Sequence, residues 1–248
     1  MSVYDLVFRT ADRLGVLEAV KPAARSALIA YRQTVGQDRR AIAAHFKTSE
    51  KPRLHIGAGA FRIDGWLNSD YTPKPGVVVV DATKKFPFRD STFNYIYTEH
   101  MIEHISFSDG ACMLQQCARV LKPGGTIRIV TPNFPVFLDF YRQPEDERYK
   151  AYMDWTWSEL HRVGNGAEAP TSHPVFIINY YFKAWGHTFI YDEYSLRLSL
   201  EKAGFTNMRR ENVNTSRHAE LRNLEHLDRV PAGFYELESL VMEADKPA

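Results

Sequence analysis

Cysteine is scarce, with two residues in a chain of 248, which excludes a fold stapled by disulfides. Cys112 and Cys117 lie on one helical stretch and read as buried apolar side chains, not as a metal or redox pair. Long apolar runs are also missing. None approaches the roughly 18 residues of a membrane span. The opening MSVYDLVFRTADRLG scatters acids and arginines without a continuous apolar stretch, so no secretory signal is expected and a cytoplasmic location follows by default. Net charge is nearly absent: 31 basic against 30 acidic residues leave +1. No global basic field exists to hold nucleic acid. Neither a phosphate loop with its lysine nor a basic stripe is present, so a nucleic-acid partner is not expected. Internal repeats and low-complexity tracts are lacking too.

What remains is an ordinary globular composition, 44% hydrophobic and 13% aromatic. A chain this long buries roughly 70% of its unfolded surface and needs no staples. Residues 3–47 read as helix, with apolar residues three and four apart (Val3, Leu6, Val7, Leu14, Leu17, Leu28, Ile29, Ile42) and Pro22 expected to break or start a helix. This segment, about 1–48, covers a sheet edge or forms a lid. From Arg53 the period changes. RLHIGAG, GWLNSDY, VVVVDA, FNYIYTEH and TIRIVTPN read as five strands. The run Val77–Val80 suits a strand buried on both faces of a parallel sheet. Residues 106–121 form a helix capped by Ser106 or Ser108, and KPGG stops it. Strands interleaved with helices predict an α/β, Rossmann-like, doubly wound and mostly parallel sheet of about seven strands. Residues 132–186 interrupt the rhythm with a dense aromatic insert. A helix over YDEYSLRLSLEKAGF follows, and NMRRENVN and YELESLVMEAD are expected to pair as the last two strands.

Four stretches carry chemistry. Gly57-Ala58-Gly59 ends the first strand, where glycines let backbone N–H groups approach a ligand closely. The dinucleotide pattern wants a further glycine where Arg62 stands, so a nicotinamide site is not favoured. Asp70 ends the second strand and can accept from both hydroxyls of a ribose, although it lies only eleven residues past Gly59 against about 20 in a dinucleotide unit. Asp81-Ala82 follows the buried valine run, where a carboxylate can accept from an adenine amino group; a turn cap is the plainer reading. Tyr97–Ile105 sets Glu99, His100, Glu103 and His104 where the fourth strand leaves the sheet, the edge at which ligands bind such sheets.

Together these stretches resemble class I S-adenosylmethionine-dependent methyltransferases, in particular the small-molecule branch called type 11. LHIGAGAFRIDGWLNSDY, DATKKFPFRDSTFNYIYTEHMIEHI and RVLKPGGTIRIVTPN follow the family's order and spacing over residues 53–131, and AGF at 203–205 continues the pattern. The resemblance implies a methyltransferase domain over 49–248 with S-adenosyl-L-methionine as cofactor. Gly57, Ala58 and Gly59 would cradle its methionine moiety, Asp70 would hold the ribose, Asp81 and Ala82 would line the adenine, and Glu99 and His100 would stand at the methionine end. The chain departs from the family at His55, where an acid is usual, and at Phe61, where a third glycine is.

Methyl transfer from a sulfonium is an in-line displacement, so orientation carries much of it, about 7–11 kcal/mol. A hydroxyl acceptor gains a further 10²–10⁴-fold or so from a base, and histidine suits that role near neutral pH. His104 is the first candidate base and His187 the second; a structural or substrate-orienting role is the alternative for each. The aromatic insert is expected to cover the acceptor, with an accessory core or dimer contact as the other reading. His161, His173 and His187 lie twelve and fourteen apart without an i, i+4 pair, so no metal site is expected. The expected activity is O-methylation of a small acceptor such as a saccharide or glycan precursor. N-methylation of an amine metabolite, or a cofactor-binding scaffold without transfer, is the alternative, and a homodimer is left open.

Overall fold

A computed structural model describes residues 17–162, 169–183 and 185–248. Val3, Leu6, Val7 and Leu14 of the expected N-terminal helix lie outside them. Strands β1 (Arg53–Ile56), β2 (Leu67–Asp70), β3 (Val78–Val79), β4 (Phe93–Glu99), β5 (Leu121–Pro132), β6 (Thr206–Arg210) and β7 (Ser239–Asp245) form one sheet in the order β3-β2-β1-β4-β5-β7-β6. The first five pair in parallel, while β7 inserts antiparallel between β5 and β6. The sheet order reverses at β1 and β4, so the carboxyl ends of these neighbours open a crevice. The Rossmann-like sheet of seven strands is therefore observed.

Apolar strand residues build the main core: Leu54, Ile56, Ile96, Ile127 and Ile129 pack with Met113, Leu114, Cys117 and Val120 of α3 (Phe107–Val120). Ser106 caps that helix by accepting from Asp109 N–H at 3.1 Å. One expectation fails here. Cys117 is buried, but Cys112 is exposed. The apolar stripe of α3 runs through Gly110, Met113, Leu114, Cys117 and Val120, and position 112 falls about 100° off Met113 around a helix of 3.6 residues per turn.

Helices α1 (Leu17–Thr34) and α2 (Gln37–Thr48) lie at the β3 end. Pro22 neither starts nor breaks α1. Buried Arg32 ties α1 down, donating to Val77 C=O at 2.5 Å and Lys74 C=O at 3.1 Å while paired with Asp38. Phe46 of α2 meets Phe93 at 5.6 Å between ring centroids.

The aromatic insert folds as α4 (Phe134–Arg142), α5 (Glu147–Arg162) and α6 (Pro174–Lys183), which enclose a second core of Phe137, Phe140, Tyr149, Tyr152 and Tyr181. Helix α7 (Glu193–Lys202) begins with a capping box between Asp192 and Ser195. The expected final hairpin forms, but its second segment is not all strand. Gly233, at φ 85°, turns the chain into a short helix α8 (Phe234–Glu238) before β7. Glycine takes this left-handed conformation at little cost.

Candidate active site

Strand β1 ends at Ile56, and Gly57 follows at φ 73°. A Cβ there would fall inside the side chain of Met101, so glycine is required both by conformation and by the close approach of the β4 exit. Ala58 N–H donates to Ser69 C=O at 2.9 Å and extends the β1–β2 ladder. Gly59 N–H donates to Asp70 Oδ2 at 2.8 Å, and Thr72 N–H donates to Oδ1 at 2.7 Å. Asp70 thus fixes the glycine loop and keeps lone pairs for further donors.

Beside this loop lies a cavity of ≈ 530 Å³, with Ile56, Val80, Met101 and Ile105 among its apolar walls and Asp70, Asp81 and His100 among its polar ones. Gly57 and Ala82 line it as well. The expected Ala58 and Gly59 are not among its lining residues. Asp81 accepts from Thr83 N–H and Oγ1–H and pairs with Lys84 at 3.0 Å, so it is also the turn cap of the plainer reading. Burial pushes its carboxyl up, but these partners outweigh burial and hold it below the ordinary value. At the mouth, Arg25 of α1 stacks over Tyr71 at 4.3 Å.

A second cavity of ≈ 550 Å³ opens on the other side of His100 and His104, which line both. Its walls come from distant parts of the chain: Trp155, Tyr181, Trp185 and His187 of the insert region, and Arg229, Tyr235 and Glu238 of the C-terminal segment. Tyr181 O–H donates to Glu238 at 2.9 Å, with Tyr152 joining the same carboxylate. His187 Nδ1 lies 2.6 Å from Tyr181 C=O, and its ring sits 4.9 Å from that of His104. Burial lowers the His187 pKa from its ordinary 6.5, with the Tyr181 carbonyl opposing.

Glu99 lines neither cavity. Its carboxylate, 2% exposed, pairs with Arg229 at 2.8 Å and His226 at 3.0 Å and accepts from Tyr235 O–H at 2.5 Å. Burial alone would raise its pKa, but these partners hold it low. The Arg229 guanidinium stacks on Phe61 at 4.0 Å. Glu99 and Phe61 therefore clamp the C-terminal segment against the glycine loop, and this segment supplies wall residues that no sequence motif marked. His55, the other departure, faces away from both cavities. It is buried against Tyr97 at 5.2 Å and bonded to Asn68 at 3.0 Å, and burial lowers its pKa to about 4. His161 bonds Trp157 C=O and His173 caps α6 through Val175 N–H, so neither joins His187.

Residues 64–129 match the family model described as a methyltransferase domain. Over these residues the chain carries the signature of a methyltransferase domain. The match begins five residues past Gly59, so the glycine loop stands on its own geometry. Among solved structures, a methyltransferase of this dependence from Archaeoglobus fulgidus is 17% identical, with 87% of this chain and 94% of that one covered and a TM-score of 0.46. One from Thermotoga maritima is 14% identical, with 87% and 98% covered and a TM-score of 0.45. No curated protein matches the chain. Among the described residues no helix is long and apolar enough to cross a membrane. The residues present fit S-adenosylmethionine: beside Gly57 lies a pocket with apolar walls for a nucleoside and carboxylates at two strand ends, Asp70 and Asp81.

The wall between the cavities makes a pH prediction. His100 has φ 45° and lies 3.2 Å from Glu103. Burial disfavours its charged form, but the Glu103 hydrogen bond and charge outweigh burial and raise its pKa above 6.5. Burial likewise opposes the Glu103 carboxylate, yet His100 holds its pKa below 4.5. The stabilisation from His100 is complete below 6.5 and fades as pH rises through its raised value. That from Glu103 is complete above 4.5 and fades as pH falls through its lowered value. The difference in unfolding free energy between wild type and His100→Gln should therefore peak between pH 4.5 and 6.5. A pH-independent difference in urea melts would contradict the pairing.

Proposed function

We propose that this methyltransferase methylates a hydroxyl of a small acceptor, a saccharide, glycan precursor or similar metabolite, bound in the cavity beyond His104. The observation that carries the reading is the shared wall: His100 and His104 border both cavities, so an acceptor on one side faces a cofactor on the other through one narrow boundary. S-adenosylmethionine, when bound, supplies an electrophilic methyl on a sulfonium. Asp70 would hold the ribose hydroxyls, Asp81 and Ala82 would border the adenine, and the loop from Gly57 to Gly59 would pass close to the methionine part. His100 and the Glu99 clamp fix the far end of that site. His104 would take the acceptor proton, with His187 behind it. Trp155, Trp185 and Tyr181 offer ring faces for a saccharide and exclude water. Orientation and dryness are what these residues contribute most.

A second reading has its own support. Glu103 and Glu238 line the same cavity with four aromatic side chains, a setting that also attracts an ammonium group. An amine acceptor would need little help from a base. A scaffold without transfer would bind the cofactor and turn over nothing.

Calorimetry with S-adenosylmethionine and S-adenosylhomocysteine tests the cofactor half. Wild type should bind both, and Asp70→Ala should weaken binding at least about 10-fold, because a hydrogen bond to a charged group contributes about 1.5–3 kcal/mol. Unchanged affinity would move the ribose to another acid. A panel of saccharide and amine acceptors then decides between the transfer readings. Turnover of amines alone would overturn O-methylation, and turnover of none would favour the scaffold.

A further inference from the structure

Glu103, His104 and His187 bring one carboxylate oxygen and two imidazole nitrogens within 4.8 Å of one another, and all three line the acceptor cavity. We propose that this set binds a divalent first-row transition metal of the zinc or cobalt type, with open coordination positions facing the acceptor. The inference rests on reading that cavity as the acceptor site, and it goes against the absence of a metal site expected from the sequence.

Three features make the cluster a built site. First, its parts are locked together through the backbone. Glu103 C=O accepts from Thr188 N–H at 2.8 Å and Phe189 N–H at 3.2 Å, so the loop bearing His187 is tied to the turn bearing Glu103 and His104. Second, the outer partners are those that orient ligands. Metal-binding histidines commonly donate their other ring N–H to a backbone carbonyl. His187 Nδ1 meets Tyr181 C=O at 2.6 Å, which leaves Nε2 as the acceptor nitrogen. Glu103 is oriented from both sides, by Thr131 Oγ1 at 3.1 Å and His100 Nδ1 at 3.2 Å. Third, the donor set selects the ion. Two imidazoles and one carboxylate suit zinc, cobalt, iron or manganese better than magnesium or calcium, which prefer oxygen. Three protein ligands leave positions open, as catalytic rather than structural sites do.

Such a cation would lower the pKa of an acceptor hydroxyl. Its proton would pass to bulk water. The oxygen would then form the O–CH₃ bond while the S–CH₃ bond breaks, its electron pair staying on sulfur to give the neutral thioether. The metal changes no oxidation state. In the loaded protein His104 is a ligand and needs to carry no proton. In the metal-free protein it is available as the base.

The test is a titration of chelator-stripped protein with Zn²⁺ by calorimetry and with Co²⁺ by visible absorption. One saturable site per chain is expected. His104→Ala and His187→Ala should each weaken it at least about 10-fold, the lower range seen even when only an outer partner of a ligand is lost. His161→Ala, which alters an exposed histidine elsewhere, should leave it intact. Glu103→Gln should also weaken it, and if that buried change unfolds the chain the two histidine variants decide. No saturable binding, or binding that both histidine variants retain, overturns the proposal. S-adenosylhomocysteine binding is measured on the same samples. Its presence without metal binding sinks the metal site alone, whereas its absence sinks the cofactor reading.

Discussion

A His104→Ala variant assayed with its acceptor should turn over about 10²–10⁴-fold more slowly, the usual contribution of a positioned base, while its affinity for S-adenosylhomocysteine changes far less. At 1.36 kcal/mol per factor of ten the slower turnover is about 2.7–5.4 kcal/mol of barrier. The split between binding and turnover is what separates a role in chemistry from a role in shape. His104 has no side-chain tie like that of Asp70 to the glycine loop, so its loss should leave the cofactor cavity standing. It lies on a single turn of 3-10 helix (Ile102–His104) that the Thr188 and Phe189 N–H groups hold through Glu103. His187→Ala should act in the same direction with a smaller effect. A His104→Ala variant with wild-type turnover would remove His104 from the chemistry, and amine acceptors would then be the first to test.

Arg128→Ala should destabilise the fold by about 3–5 kcal/mol, the range found when a buried ion pair loses one partner. Arg128 sits in β5 with no exposed side-chain surface, 2.6 Å from Glu225 and 2.9 Å from Glu243, both also fully buried. It donates as well to Thr215 C=O at 2.7 Å and Asn212 C=O at 3.2 Å. Truncation would leave buried Glu225 without its cation and Glu243 with Arg209 alone, at 3.0 Å, which low-dielectric surroundings punish. The network also anchors the connection 212–225 to the central strand, and that connection leads into the segment whose Arg229 and Tyr235 line the second cavity, the proposed acceptor site. A lower midpoint in urea should therefore be accompanied by weaker acceptor binding. Loss of less than about 1 kcal/mol would show that the carboxylates relax into solvent.

The layered sheet was legible because its signals are local. The switch from helical spacing to short apolar runs at Arg53, the doubly buried valines and the Ser106 cap all act within a few residues. Asp70 was legible for the same reason: it ends a strand beside a glycine turn. The second cavity was half legible. The insert announced itself by ring density: Phe137, Phe140 and Tyr152 fill the accessory core, and Trp155 and Trp185 line a cavity. The C-terminal wall was not legible, since Glu99 meets Arg229 and Tyr235 across some 130 residues of chain and no periodicity records such a meeting. The Glu103–His104–His187 cluster was hidden likewise, by a separation of more than eighty residues that only the fold closes. His55 and Phe61 looked like departures within a cofactor loop. His55 instead faces Tyr97 and Asn68, while Phe61 receives the Arg229 guanidinium.

The most direct measurement is a crystal structure of the wild-type protein with S-adenosylhomocysteine. The ribose should lie against Asp70 and the base beside Asp81 and Ala82. The sulfur should be turned towards the His100–His104 wall, leaving the second cavity in front of it. A nucleoside bound on any other face, or a sulfur turned away from that wall, would contradict the account.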